Sequence, residues 1–186
     1  MKPVKDGIRR AGPAELPRLM ALFSEVKQGL HGIGLDQWPD HYPEEDKVLR
    51  DLANGHVHII EIGGNIISSL TLNQEQDPAY QQIEWHIPAA APFVVHRLVV
   101  HPAYWGQGMG RAWMHWAEDE VRRRGGGVIR LDTWIDNRAS NALYQGLGYQ
   151  QAQGYCYFYG PEKAFVCYEK AVPGTSNLPI FRTSNE

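Results

Sequence analysis

Three glycines in five positions, Gly106, Gly108 and Gly110, stand between an apolar run ending at Val100 and an amphipathic stretch opening at Met109. At a helix start, such a turn aims several backbone N–H groups at one point and adds the positive end of the helix dipole. That is the chemistry of a phosphate or pyrophosphate site. Glycine suits it because a side chain would hold the phosphate oxygens away from the amides. The same glycines also serve an ordinary turn, so spacing has to decide. A G-x-G-x-x-G dinucleotide fingerprint would place a further glycine at Arg111 or Trp113, and neither is one. A Walker loop needs Gly-Lys-Ser/Thr where the chain has Gly110-Arg111-Ala112.

Downstream, Asn137, Asn141 and Tyr144 recur at i, i+4 and i+7, which puts them on one face of a helix. Asn137 is also placed to cap that helix. His96 sits two and four residues before Leu98 and Val100, on the same face of an extended strand as both. His56 and His58 alternate as on a solvated sheet face, and no histidine has metal-ligand spacing, so no metal is expected.

The elements that must position these residues are legible from periodicity. A short strand at 8–11 leads through Gly12-Pro13 into a helix carrying Leu16, Leu19, Met20, Phe23, Val26 and Leu30. A loop over 29–43 precedes a helix at 44–53. Strands 56–62 and 66–72 flank the hairpin turn Gly63-Gly64-Asn65. A further strand is expected at 82–87. Residues 93–100 read as a strand covered on both faces. A helix at 108–124, a strand at 128–134 and a helix at 138–145 follow, then an antiparallel pair at 149–159 and 164–170. The order predicts a single mixed α/β (α+β) domain over 1–170 with helices on both faces of the sheet, and a loose polar tail over 171–186.

The 186 residues carry a net charge of −3 with both signs interspersed, against a nucleic-acid partner. The run Arg122-Arg123-Arg124 complements a helix C-terminus. The two cysteines form no framework, no apolar run approaches the ~20 residues that span a bilayer, and the first ten residues are polar. The expectation is a cytoplasmic protein with no membrane partner.

The segment 98–148 resembles the GNAT superfamily of N-acetyltransferases. Val99-Val100-His101-Pro102 with Trp105-Gly106-Gln107-Gly108-Met109-Gly110 is similar to its acyl-CoA pyrophosphate motif. The stretch from Asp136 to Tyr144 is similar to its second signature, and Leu147-Gly148-Tyr149 to its entry into the next strand. One departure is Trp105, where the family usually has Arg or Gln. The resemblance implies a mixed sheet whose two central parallel strands splay apart around acetyl-CoA. The backbone of Leu98, Val99 and Val100 would pair with the pantetheine arm. The turn Gly106, Gln107, Gly108, Met109, Gly110 and Arg111 would hold the pyrophosphate, with Asn137 and Asn141 beside the arm. Tyr144 would protonate the leaving thiolate, since a phenol holds its proton at neutral pH. An alkyl amine is mostly protonated at pH 7, so a base helps it attack. His96 is the first candidate and Glu84 the second. Trp38, Tyr42, Trp134 and Tyr155, the last sharing a strand face with Tyr157 and Tyr159, would line the acceptor pocket, although such stripes also build cores.

The implied activity is transfer of an acetyl group from acetyl-CoA to a primary amine by direct attack, by a protein that the resemblance allows to be a homodimer. The acceptor stays open among a peptide terminus, a lysine, a polyamine, an antibiotic and a small metabolite, and the acyl group could be longer than acetyl. A non-catalytic acyl-CoA-binding module and a nucleotide-binding enzyme are the competing readings.

Overall fold

The computed structural model describes residues 7–172, so the tail expected at 171–186 lies almost wholly outside the described residues. A seven-stranded sheet runs in the order β1-β2-β3-β4-β5-β7-β6. Its strands are β1 (Ile8–Arg10), β2 (Val57–Ile62), β3 (Asn65–Asn73), β4 (Phe93–Val100), β5 (Val128–Trp134), β6 (Gln150–Cys156) and β7 (Phe165–Ala171). Only β4 and β5 are parallel. They pair at Phe93↔Ile129 and Val94↔Arg130 and then separate, which opens a wedge in the middle of the sheet.

Helices α1 (Leu16–Gly32) and α2 (Glu45–Ala53) cover one face. There Leu19, Leu22, Phe23 and Leu52 pack on Val57, Ile59 and Val99. Helices α3 (Met109–Arg123) and α4 (Arg138–Gly146) cover the other, where Met109, Trp113, Ala117 and Val121 pack on Leu70, Val95 and Leu131. These are the apolar stripes that the 3.6-residue period marks.

The strand expected at 82–87 does not form. Pro78–Gln82 is a 3-10 turn, and beyond it only Glu84 bridges to Gln153. The amides of His86 and Ile87 donate instead to the buried Glu169 carboxylate. A side chain thus satisfies donors that a strand ladder would have used. Here Tyr80 and Ile83 cover Ala152, Cys156, Phe165 and Cys167. The two cysteines are free thiols with Sγ atoms 3.5 Å apart.

Candidate active site

The glycine turn ends in Gly108, whose φ of +78° is the left-handed conformation that favours glycine. The first bond of α3 runs from Ala112 N–H to Gly108 O at 3.1 Å, so the amides ahead of it have no intrahelical acceptor. Gly106, Met109 and Gly110 line a cleft of about 290 Å³, together with Leu98, Val99 and Val100 across from Ser140, Leu143 and Tyr144. Gln107 is exposed and turns back to donate to Ala103 O at 3.2 Å. Arg111 lies exposed beside Gly146. The structure thus brings together the backbone of the turn rather than its polar side chains.

The orientation of β4 follows from two bonds. His101 N–H donates to Ile67 O at 2.8 Å, toward β3, and Val99 O accepts from Ser68 Oγ at 2.6 Å. In trans peptides N–H and C=O point oppositely, so the N–H and C=O of Val100 both face the wedge. The carbonyl is already engaged: Trp105 Nε1 donates to it at 2.6 Å. The Trp105 ring also packs against α1 at Gly29, where a Cβ would meet Trp105 Cη2 at 3.1 Å and Pro102 Cγ at 2.5 Å. Trp105 therefore ties the turn to the strand end and to α1. The Val100 N–H is left facing the space that β5 has vacated, as a donor for a ligand arm or a developing oxyanion.

A bulge re-aims the middle of β4. The pairing shifts from Ser69↔Val99 to Thr71↔His96, so β4 carries one extra residue. Arg97 takes up the excess at φ +48°, the only positive φ of a non-glycine residue among those described. Its guanidinium reaches Asp51 and Thr71 Oγ1. This corrects the expected alternation. His96 lies across from Thr71 and, beyond it, Val57, on the α1/α2 face. Leu98 and Val100 pack on the α3 side. An extra residue reverses the parity of everything beyond it.

His96 Nε2 lies 3.0 Å from Asn73 Oδ1 and 3.1 Å from Glu75 O. Asn73 Oδ1 also accepts from Glu75 N–H at 2.9 Å, which fixes the amide. Both neighbours of Nε2 are acceptors, so Nε2 carries the proton and Nδ1 the lone pair. Burial first, then the Arg97 charge, lowers the ring to a pKa of about 4. It is a neutral imidazole at physiological pH.

Three cavities run through the wedge in series. The 290 Å³ cleft shares Leu98, Ser140 and Tyr144 with a neck of about 80 Å³. The neck shares Tyr42, His96, Asp132 and Phe165 with a basin of about 550 Å³. Tyr144 and Asp132 both line the neck. Tyr144 is buried, no bond within the described chain engages its hydroxyl, and burial pushes its phenol well above the usual range. Asp132 accepts from the Tyr80 hydroxyl at 2.7 Å through Oδ1. Burial raises its carboxyl to about 6, the Tyr80 bond pulls it down, and the Asp77 charge adds to the rise. Asp132 is the site residue that pattern reading missed. It alternates with Arg130 inside a largely apolar strand, and its only signal is a carboxylate where a core residue is expected.

The remaining expected residues divide. Trp38 lines the cleft, neck and basin, Tyr42 the neck and basin, and Trp134 the neck. Asn137 lines the cleft while capping α4 through Ser140 N–H at 3.1 Å and donating to Gln37 Oε1 at 2.8 Å. Asn141 is placed elsewhere. Its amide donates to the carbonyls of Trp134, Ile135 and Asn137 and accepts from the Tyr168 hydroxyl, which holds the β5–α4 turn. Tyr155 is 41% exposed and lines none of the three cavities. A bulge at Gly154, φ +100°, separates it from the strand's earlier register. Tyr157 and Tyr159 instead reach the basin from the turn beyond β6. Glu84 is exposed beside Gln153, away from the neck. Asp51, His56 and Glu75 offer one ligand atom each within 4.8 Å of one another, a grouping that histidine spacing does not reveal. Arg97 on Asp51 and Lys47 on Glu75 already neutralise both carboxylates.

Residues 17–149 match the acetyltransferase (GNAT) family, and the chain belongs to that family. It is similar to the N-alpha-acetyltransferase RimI of Mycobacterium tuberculosis, at 30% identity over 122 residues, covering 64% of this chain and 65% of that protein's length. Its fold is similar to that of an acetyltransferase of the GNAT family from Streptococcus agalactiae, with a TM-score of 0.71 and 23% identity over 88% of this chain and 94% of that one. It is also similar to yncA of Salmonella typhimurium, a putative acetyltransferase solved with acetyl-CoA. There the TM-score is 0.64, with 19% identity over 89% and 93% of the two chains. Among the described residues no helix is long and apolar enough to cross a membrane.

Proposed function

We propose that this chain transfers an acetyl group from acetyl-CoA to a primary amine by direct attack. The observation that carries the proposal is the series of three cavities that share lining residues through the wedge, with Tyr144 and Asp132 both lining the smallest. The cofactor's pyrophosphate fits the unsatisfied amides of the glycine turn, and its arm fits the strand edge that β5 leaves open at Val100. When bound, acetyl-CoA supplies the thioester carbonyl at which a C–N bond forms and the C–S bond breaks.

The chain's own residues handle the charge and the protons. The Val100 N–H donates to the carbonyl oxygen as negative charge develops. Asp132, with a carboxyl near 6, is mostly ionised at pH 7 yet basic enough to take the proton from the attacking nitrogen. Tyr144 delivers its proton to the departing sulfur. His96, with a lone pair on Nδ1 and a pKa of about 4, is the weaker base.

The test is transfer of isotope-labelled acetyl from acetyl-CoA to a pooled panel of amines, read by mass spectrometry beside a thermal-shift assay with acetyl-CoA. Labelled amide is the expected product. A thermal shift without product from a panel spanning peptides, polyamines and aromatic amines would favour the binding-module reading. Neither shift nor product overturns both.

A further inference from the structure

We infer that the basin takes a slender aliphatic diamine, one ammonium entering the neck and the second held at the mouth. This deepens the acetyl-transfer reading and rests on it.

The first observation is that aromatic contacts bridge the acceptor side. Trp38 and Tyr42 pack with ring centroids 5.3 Å apart, Tyr42 and Tyr159 at 5.7 Å, and Tyr159 and Phe165 at 5.7 Å. Lys163 Nζ adds an ion pair to Asp36 at 3.2 Å. These contacts tie the loop between α1 and α2 to the turn between β6 and β7 across the basin. An extended peptide needs a continuous backbone groove there, and ring contacts that cross the seam leave less room for one.

The second observation is size. At about 80 Å³, the neck is the smallest of the three cavities. Such a space favours a primary ammonium on an unbranched methylene chain over a branched residue with an amide backbone.

The third is charge. Six formally charged side chains line the basin besides its histidines: Asp132, Glu44, Asp77, Glu75, Lys47 and Arg97. Lys47 is taken by Glu75 at 2.8 Å, and Arg97, 4% exposed, by Asp51 behind the wall. His96 is neutral by burial, and His41 is the other imidazole of the lining. No ion pair engages Asp132 at the floor or Glu44 and Asp77 at the mouth among the described residues. Carboxylates with aromatic faces between them recognise ammonium at both ends of a chain.

The test compares 1,4-diaminobutane, n-butylamine and an alanine-initiated tetrapeptide as acceptors, each with saturating acetyl-CoA. The expected kcat/KM for the diamine exceeds that for butylamine by up to about five-fold, the worth of one exposed ion pair. No acetylated peptide is expected. In the double variant Glu44→Gln/Asp77→Asn, where Asn keeps the turn's cap, the diamine-to-butylamine ratio should fall toward one through KM. Equal use of the two amines, a preferred peptide, an unmoved ratio or no acetylated diamine overturns the inference. The acetyl-transfer reading falls only if the wider amine panel also gives no product.

Discussion

The indole N–H of Trp105 donates to the Val100 carbonyl at 2.6 Å, filling the one acceptor on that strand end that faces the wedge. The position that in the family usually carries a cation or amide toward the pyrophosphate serves here to set the strand end proposed to meet the pantetheine arm. Trp105→Phe keeps the ring packing and removes the bond. Acetyl-CoA affinity should fall about five-fold, the ~1 kcal/mol of one hydrogen bond, as read by calorimetric titration. Unchanged affinity would show that the indole does not set the strand end.

Gly29 allows α1 to approach that turn. In Gly29→Ala the gain in helix propensity is ~1 kcal/mol. The added Cβ would lie 2.5 Å from Pro102 Cγ, in a ring that cannot swing aside, and overpacking costs ~1–3 kcal/mol. The clash wins. Denaturant unfolding should show net destabilisation, and a stabilised variant would mean that α1 moves freely over the turn.

Tyr144→Phe removes the proton donor and keeps the buried ring. Turnover should drop roughly 100-fold, the usual worth of a placed acid, while acetyl-CoA binding is nearly kept. Equal turnover removes Tyr144 from the mechanism.

Asp132 and His96 are separated by pH. The carboxyl near 6 and the ring near 4 predict that kcat/KM rises with pH through about 6 and levels off above 7. Asp132→Asn should abolish that limb and lower the plateau about 100-fold. A limb retained in the variant would move the role of base elsewhere.

Stability carries an independent signature. His58 stacks on Trp116 with centroids 4.5 Å apart, and burial, then the Arg124 charge, lowers its pKa to about 4. An unfolded histidine titrates near ~6.5. Between 6.5 and 4 the unfolded chain binds protons that the folded His58 and His96 refuse, so their stabilisation is full above 6.5 and lost as pH falls. Asp132, raised to about 6 from 3.8, acts in the opposite sense over 3.8 to 6. With two groups against one, Tm should drop from pH 7 to pH 5, and His58→Gln should flatten the drop.

Most of the element order and the glycine turn were legible because each rests on local pattern: apolar period, turn glycines, helix caps; the wedge between the central strands was implied only by the family resemblance. Three features were not. The bulge at Arg97 adds one residue that no periodicity announces, and it moves His96 to the opposite face. Residues 82–87 alternate like a strand, yet Glu169, distant in sequence, takes their amides. Asp132 sits in a largely apolar strand, and only its meeting with Tyr80 and the wedge gives it meaning. Long-range contacts decide all three.

The proposed direct transfer requires both substrates to meet at the neck at once. Initial rates with both acetyl-CoA and the accepted amine varied test this most directly. Intersecting double-reciprocal lines are expected. Parallel lines, the mark of an acetylated enzyme released from CoA before the amine binds, would contradict direct transfer between Asp132 and Tyr144.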